Sequence, residues 1–340
     1  MPPFDVRRGR PETATTVLSC VLLFGTLYAS TLALGSKHTD AAFPIRVARH
    51  VDLLTAGNLS ETPGLVHVVG RYRTLAGQID FDHVGVRLEA HVTGTKTVTA
   101  TMSKVGSTEV FFRTMCNGKL SSVFGTSTWA PNLQKEVLLC DDLDPSVVTT
   151  VSVQKITEAE WNSLSPSPNY VSFYGLQGDP GMKILNRSVQ FSKRRRLEFL
   201  GDSITAGFCN QCETKPSLCP AGQSNCVRQE SFAFSWANLI CEAVDADCHN
   251  EAWSGYGMVM NCCGGKTLMS DIYKRTLASV PSGNVSDPHG TTKENYWDFS
   301  SWRPDALVAP CTPLASTTCC SHRIVEKAAN SIPKQAPGVS

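Results

Sequence analysis

From Leu65 the chain reads as short β-prone pieces, LVHVVGRYRT, FDHVGVRLEAHVTG and KTVTATMS, separated by Gly or polar turns. Phe81, Val84, Val86 and Leu88 alternate in part, as expected for a sheet with one buried face. EVFFRTMCNG ends in an Asn-Gly turn at Asn117-Gly118, and EVLLC follows. Between Val147 and Ile156 the alternation is clear: Val147, Thr149, Val151, Val153 and Lys155 on one side, Val148, Thr150, Ser152, Gln154 and Ile156 on the other. No stretch from Leu65 to Ile156 has a helical period of convincing length. This pattern predicts a sandwich or jelly roll. Trp161 to Tyr170 reads as loop, while VSFYGLQ and MKILNRSVQF read as two further strands of the same unit.

After the basic run Lys193 to Arg196, a solvated boundary, the period changes. Leu197, Phe199 and Leu200 read as the end of a buried strand, Gly201-Asp202-Ser203 as a sharp turn, and Ile204 to Phe208 as the opening of a helix. Ser231 to Ala243 is expected to be helical, with Phe234, Ala237, Leu239, Ile240 and Ala243 on its apolar face. CHNEAWSGYGM is a second strand-to-loop junction. Strand, helix and strand open an α/β layer fold, in which sites lie beyond the carboxyl ends of the strands.

Composition adds a compartment. The 340 residues carry 31 basic and 30 acidic side chains, a net charge of +1, which gives no basic excess and excludes a nucleic-acid partner on that ground. Ten of the 14 cysteines lie between Cys116 and Cys263, enough for up to five disulfides whose pairing is open. Cys209 to Cys226 holds four of them in 18 residues. The Cys209-x-x-Cys212 spacing could hold a metal, but in an exported chain a disulfide-stapled insertion is the expectation. Arg7, Arg8 and Arg10 precede an apolar run from Val17 to Leu34, with small residues at Ala33 and Gly35. It reads as a cleaved signal or as a signal anchor, either of which would leave the bulk of the chain outside the cytoplasm, or else as a buried helix. Asn58, Asn186 and Asn284 stand in N-x-S triplets, compatible with glycosylation on a secretory route.

A serine between a strand end and a helix start is placed for nucleophilic attack, with amides nearby to stabilise an oxyanion. The alternative is an ordinary βα turn with a capping serine. Leu200 to Gly207, LGDSITAG, resembles the first block of the SGNH (GDSL-like) hydrolases, and Ala252 to Gly257, AWSGYG, resembles the second. The spacing between them, YWDFSSWRPDALV at Tyr296 to Val308 and the strand-rich module are similar to the family 2 carbohydrate esterases, acetylxylan esterases among them. In that module GRY at Gly70 to Tyr72, FDHVGVRLEA at Phe81 to Ala90 and VSVQKITEAE at Val151 to Glu160 carry the resemblance.

The resemblance implies an N-terminal β jelly-roll/sandwich followed by an α/β/α three-layer SGNH hydrolase domain. It implies acetyl removal from plant polysaccharide or oligosaccharide, with Ser203 as nucleophile, its N–H and that of Gly255 as oxyanion donors, and Gly201 and Asp202 shaping the turn. Trp253 and Tyr256 would line the sugar cleft, or else pack as core aromatics. No cofactor or metal is implied. Two further blocks are expected, Gly-x-Asn-Asp after the strand that Asp305 begins and a later Asp-x-x-His, and neither occurs in residues 309–340. His322, in Cys320-Ser321-His322, does not match as the base, so the general base is unassigned.

The expected organisation is a basic N-terminal region (1–16), a signal peptide or anchor (17–35), a linker (36–62), the sandwich (63–192), an incomplete hydrolase domain (193–308) and an aberrant, disordered tail (309–340). The change of character after Val308 is attributed to a frameshift, mis-splicing or a wrongly read gene. The function expected is a secreted or type II membrane-anchored carbohydrate esterase homologue, inactive as written. The alternatives are a non-catalytic glycan-binding or interaction protein with a hydrolase remnant, and a phosphate- or nucleotide-binding α/β domain, for which no Gly-x-x-x-x-Gly-Lys-Ser/Thr motif is present.

Overall fold

The alternating segments pair into two antiparallel sheets. The structure, a computed structural model, describes residues 53–55, 65–75, 77–159, 168–185, 195–211, 229–261, 267–280 and 295–309, all within one unit spanning Val51–Ser340. The first sheet runs β1 (Leu53–Thr55), β12 (Lys183–Leu185), β5 (Arg87–Thr93), β10 (Thr149–Lys155), β7 (Phe111–Cys116) and β8 (Lys119–Gly125), with β2 (His67–Val69) also on β5. The second runs β3 (Arg73–Leu75), β4 (Gln78–Phe81), β11 (Tyr170–Gly178), β6 (Val98–Val105) and β9 (Lys135–Cys140). Leu88, Val92, Phe112, Val151 and Val153 of the first sheet share one core with Ile79, Phe81, Met102 and Phe173 of the second. Phe81 and Phe112 meet edge to face across that core, ring centroids 6.3 Å apart. A disulfide between Cys116 on β7 and Cys140 on β9 joins the two sheets.

Two sequence expectations are corrected here. Residues 53–55, read as linker, form a strand that pairs with Lys183–Leu185, because a short edge strand needs only backbone partners and leaves little trace in the side-chain pattern. Val147 lies outside β10 and is half exposed; the buried alternation begins at Thr149. The Asn-Gly turn stands as read, with φ of 51° at Asn117 and 75° at Gly118 between β7 and β8. The apolar run 17–34, the three N-x-S asparagines, Cys212–Cys226, His322 and residues 310–340 lie outside the described residues. Among the described residues no helix is long and apolar enough to cross a membrane.

After residue 195 the strands become parallel. β13 (Arg195–Gly201) lies between β14 (Ala246–Ala252) and β15 (Ala306–Val308). Three helices are described in this part: α1 (Ser203–Ala206), α2 (Trp236–Ala243) and α3 (Met269–Ile272). The expected helix from Ser231 is split. A 3-10 turn at Phe232–Phe234 ends at Ser235, whose side chain caps α2 by accepting from the Asn238 N–H. The restart changes which side is buried. Ala237, Asn238 and Cys241 face the sheet, while Phe234 and Leu239, expected on the apolar face, are exposed at 61% and 52%. A Cys241–Cys248 disulfide fastens α2 to β14.

β14 reads ADCHNEA, yet all seven of its residues are buried. Its two faces solve the burial differently. Cys248 and Ala252 pack in the cluster that holds Ala237 and Cys241 of α2. Asp247, His249 and Glu251 form the other alternating face, on which the two carboxylates are matched by polar groups from the sandwich and His249 packs against Trp297 and Trp302. Asp247 accepts from His67 and Arg87, at 2.9 and 3.2 Å. Glu251 takes His83 Nδ1 at 2.7 Å and Arg71 Nε at 2.9 Å.

Arg71, fully buried, is the centre of this joint. Its Nη2 donates to Glu198 on β13 at 2.9 Å, and its Nη1 donates to the carbonyls of Tyr273 and Arg275. Tyr273 Oη donates to the second Glu198 oxygen at 2.9 Å, and the rings of Tyr273, Trp297 and Phe299 lie around the guanidinium. Burial pushes the Glu198 carboxyl up, against the pull of Arg71. Burial also works against the Glu251 charge, but Arg71 and then His83 reverse it and hold that carboxyl at about 2. His249 is stacked on Trp302 with ring centroids 3.5 Å apart; burial lowers it to about 3 and keeps it neutral.

Two outcomes follow from this joint. Arg71→Met strands Glu198 and Glu251 and should cost about 3–5 kcal/mol in denaturant unfolding. Arg113→Ala, which loses a pair to the half-exposed Glu242, should cost about 1 kcal/mol or less. Equal losses would contradict the account. The pH dependence has a definite sign. His249 takes up its proton only near pH 3 when folded, but near 6.5 when unfolded, so its contribution falls as the pH drops through that window. Glu251 adds a loss as the pH falls from its unfolded value of 4.5 towards about 2. Thermal unfolding of His249→Gln should therefore decline less steeply than wild type below pH 6.5; parallel declines would refute the assignment.

Candidate active site

Ser203 follows the carboxyl end of the central parallel strand. Asp202 sits between strand and helix in extended backbone (φ −112°), and its side chain accepts from the Ile204 N–H at 3.1 Å as the cap of α1. Its backbone carbonyl takes the N–H groups of Thr205 and Ala206, both at 3.0 Å. The helix is shorter than the sequence suggests. It closes at Gly207, whose φ of 88° and proximity to the Ser231 carbonyl (2.6 Å from any added Cβ) exclude other residues. A Cβ at Gly201 would fall on the Thr205 side chain, so this glycine lets α1 fold back against the end of β13. Asp202 is buried, while Ser203 remains half-buried.

β14 pairs with β13 up to Ala252–Gly201, so both strands release their chains at the same edge. The Trp253 N–H donates to the Gly201 carbonyl at 3.3 Å and continues the pairing one step. Residues 253–256 then turn. The Tyr256 N–H donates to the Trp253 carbonyl at 3.2 Å, and Gly255 at the third position has φ of 82°. The carboxyl ends of the two adjacent strands thus bear the Ser203 and Gly255 turns. Trp253 is only 3% exposed and lies edge-on to both His83 and Tyr256, so it packs as a core aromatic; Tyr256 is half-buried.

The residues between β10 and the following loop were not singled out from the sequence as site components. The Glu158 carboxylate accepts from both the N–H and the hydroxyl of Ser254. Its own N–H donates to Glu230 at 2.8 Å. Lys155, also fully buried, donates from Nζ to the Thr157 carbonyl. Burial is the leading influence on all three. It raises Glu158 to about 7, pushes Glu230 well above the usual carboxylate range with Glu158 adding to the effect, and lowers Lys155 to about 8 against the pull of Glu230, Asp82 and Glu158. Asp202 also raises Glu158, which brings the Ser203 turn electrostatically into the same cluster. The signal was available in principle. Lys155 and Glu158 stand in the polar strand exit QKITEAE, where such residues are ordinarily solvated.

Among the described residues no histidine is hydrogen-bonded to Ser203. His67 and His83 face Asp247 and Glu251, and His91 meets Thr150. Donor atoms of Glu198, His249 and Glu251 lie within 4.8 Å of one another, close enough for a cation. Arg71 already lies against both carboxylates, so the chain supplies the positive charge there itself.

No protein-family model matches the chain. It is 30% identical over 149 residues to a cellulase/esterase, CelE, of Acetivibrio thermocellus, a match covering 44% of this chain and 16% of that protein. It is 33% identical over 166 residues to an acetylxylan esterase / glucomannan deacetylase of Cellvibrio japonicus, covering 46% and 37%. The chain therefore spans well under half the length of these curated relatives. In fold it is similar to a family two carbohydrate esterase from Clostridium thermocellum (TM-score 0.61, 21% identity, 78% of this chain and 72% of that one). It is also similar to the acetyl xylan esterase Est2A of Butyrivibrio proteoclasticus (TM-score 0.58, 19% identity, 73% and 62%). The chain is thus related in sequence, over less than half its length, to two curated esterases, and its fold resembles that of family two carbohydrate esterases.

Proposed function

We propose that this chain carries the nucleophile half of a carbohydrate-esterase site. The supporting observation is the Gly201-Asp202-Ser203 turn at the end of the central parallel strand, beside a strand whose exit turn bears Gly255 with φ of 82°. In this reading the Ser203 Oγ attacks the carbonyl carbon of a sugar acetyl ester. The N–H groups of Ser203 and Gly255 hold the developing oxyanion, the sugar alkoxide leaves, and water later releases acetate. The substrate class, acetylated polysaccharide or oligosaccharide, is carried from the homology. The half-buried Tyr256 is the candidate to line the cleft. The two described disulfides support an extracytoplasmic location.

The general base is the open element. Residues 309–340 contain neither the Gly-x-Asn-Asp nor the Asp-x-x-His block. Without a base the serine stays a weak nucleophile near neutral pH, and loss of one oxyanion donor alone removes about 3 kcal/mol of transition-state stabilisation. The second reading is a glycan-binding or interaction protein without turnover.

The test is acetate release from acetylated xylan and from p-nitrophenyl acetate by the 340-residue chain and by Ser203→Ala. The expected rate for the unaltered chain is low, about 10³–10⁴-fold above water at most. That remainder comes from oxyanion donors and substrate binding and should outlast Ser203→Ala; what the substitution should abolish is acetyl transfer to Ser203 itself. Acetyl transfer to the chain that is the same in Ser203→Ala would refute the nucleophile. Retained xylan binding with no acetyl group ever found on Ser203 would establish the second reading.

A further inference from the structure

The turn that bears Gly255 is held from outside the parallel sheet. Its first hydrogen bond, Tyr256 N–H to the Trp253 carbonyl, closes the turn but leaves the Ser254–Gly255 peptide free to face either way. The flip of that peptide is what separates type I from type II turns. Here the residues on both sides of it are held. Gly255 takes a left-handed φ of 82°, and Ser254 gives its N–H, which belongs to the preceding Trp253–Ser254 peptide, and its hydroxyl to the two oxygens of Glu158. Whichever way that peptide faces, the Gly255 N–H faces with it.

Glu158 is anchored in turn. The Ile156 carbonyl accepts from the Phe232 N–H at 2.7 Å, the Thr157 hydroxyl accepts from the Phe111 N–H at 2.9 Å, and Glu158 N–H is bound to Glu230. Glu158 and Glu230 are 2% and 3% exposed, so water does not compete for these bonds. The segment belongs to the exit of β10 and is therefore part of the strand-rich module. We propose that Glu158 is a positioning residue for the Gly255 oxyanion donor, so that the strand-rich module completes the esterase site. This rests on the reading of Ser203 and Gly255 given above. A carboxylate that takes both polar groups of one residue, 96 residues away in sequence, orients that residue rather than merely filling space.

The experiment uses the full chain with Glu158→Gln and Glu158→Ala, and a core variant of the sandwich, Leu139→Ala, as a destabilised control. Two readouts are taken. The first is labelling by a fluorophosphonate: the Ser203 Oγ–P bond forms, the P–F bond breaks, and the hydroxyl proton leaves with fluoride as HF. Glu158→Ala should lower the maximal labelling rate by about ten- to a hundredfold with the half-saturating reagent concentration unchanged. Glu158→Gln, which keeps one acceptor for the Ser254 N–H, should recover part of that loss, and Leu139→Ala should label like wild type.

The second readout is the Gly255 amide, by proton–nitrogen NMR. Its shift and hydrogen-exchange rate should change in Glu158→Ala and stay in place in Leu139→Ala. A Gly255 amide indifferent to both Glu158 variants overturns the positioning role whether or not Ser203 labels. Equal slowing by Leu139→Ala overturns it as well. A chain that never labels at Ser203, but whose Gly255 amide moves on Glu158 substitution, refutes the nucleophile reading and leaves the positioning of the turn intact.

Discussion

The buried guanidinium of Arg71 is the constraint on which the α/β layer rests. A parallel sheet is normally covered by apolar layers on both faces, and its strands read as apolar runs. Here β14 presents Asp247, His249 and Glu251 to one side, and β13 adds Glu198. Burying those carboxylates unpaired would cost several kcal/mol each. The sandwich supplies the partners: the guanidinium of Arg71 to Glu198 and Glu251 and that of Arg87 to Asp247, with the His83 ring against Glu251 and the His67 ring against Asp247. The sheet and the sandwich are therefore complementary in charge at their contact, and neither surface is suited to water-free burial alone.

That complementarity also explains how the candidate site is built. The α/β part contributes the Ser203 and Gly255 turns at two strand ends. The sandwich contributes the segment 156–159, whose Glu158 reaches Ser254 and lies near enough to Asp202 to feel its charge. The disulfide from α2 to β14 and the Asp202 cap fix the remaining approach of helix to strand. Geometry at the two turns thus depends on residues more than 40 positions upstream of Ser203.

Much of this was legible before the structure. The strand-rich unit follows from strict alternation in residues such as Val151 and Val153, where one face is apolar and the turn chemistry at Asn117-Gly118 is explicit. The turn at Ser203 was read from an apolar strand end, Gly201-Asp202-Ser203 and a helix start, and the structure places that turn between β13 and α1. What was not legible depends on pairing across long sequence distances. Arg71 within GRY and Glu158 within ITEAE look like ordinary polar residues until their partners at 198, 251 and 254 are brought beside them. β14 hid for the same reason: hydrophobicity reports burial only when burial is apolar. The helix face was misjudged because the Ser235 cap restarts the helical phase, which leaves Phe234 and Leu239 in solvent.

The central claim is that Ser203 is a nucleophile on a preformed turn, with its oxyanion donor on the adjacent strand. Peptide mapping by tandem mass spectrometry, after brief exposure of the chain to isotopically labelled p-nitrophenyl acetate, tests it most directly. The account predicts the labelled acetyl group on the peptide containing Ser203, and its loss in Ser203→Ala. Acetyl groups spread over surface lysines, with none on Ser203, would contradict it.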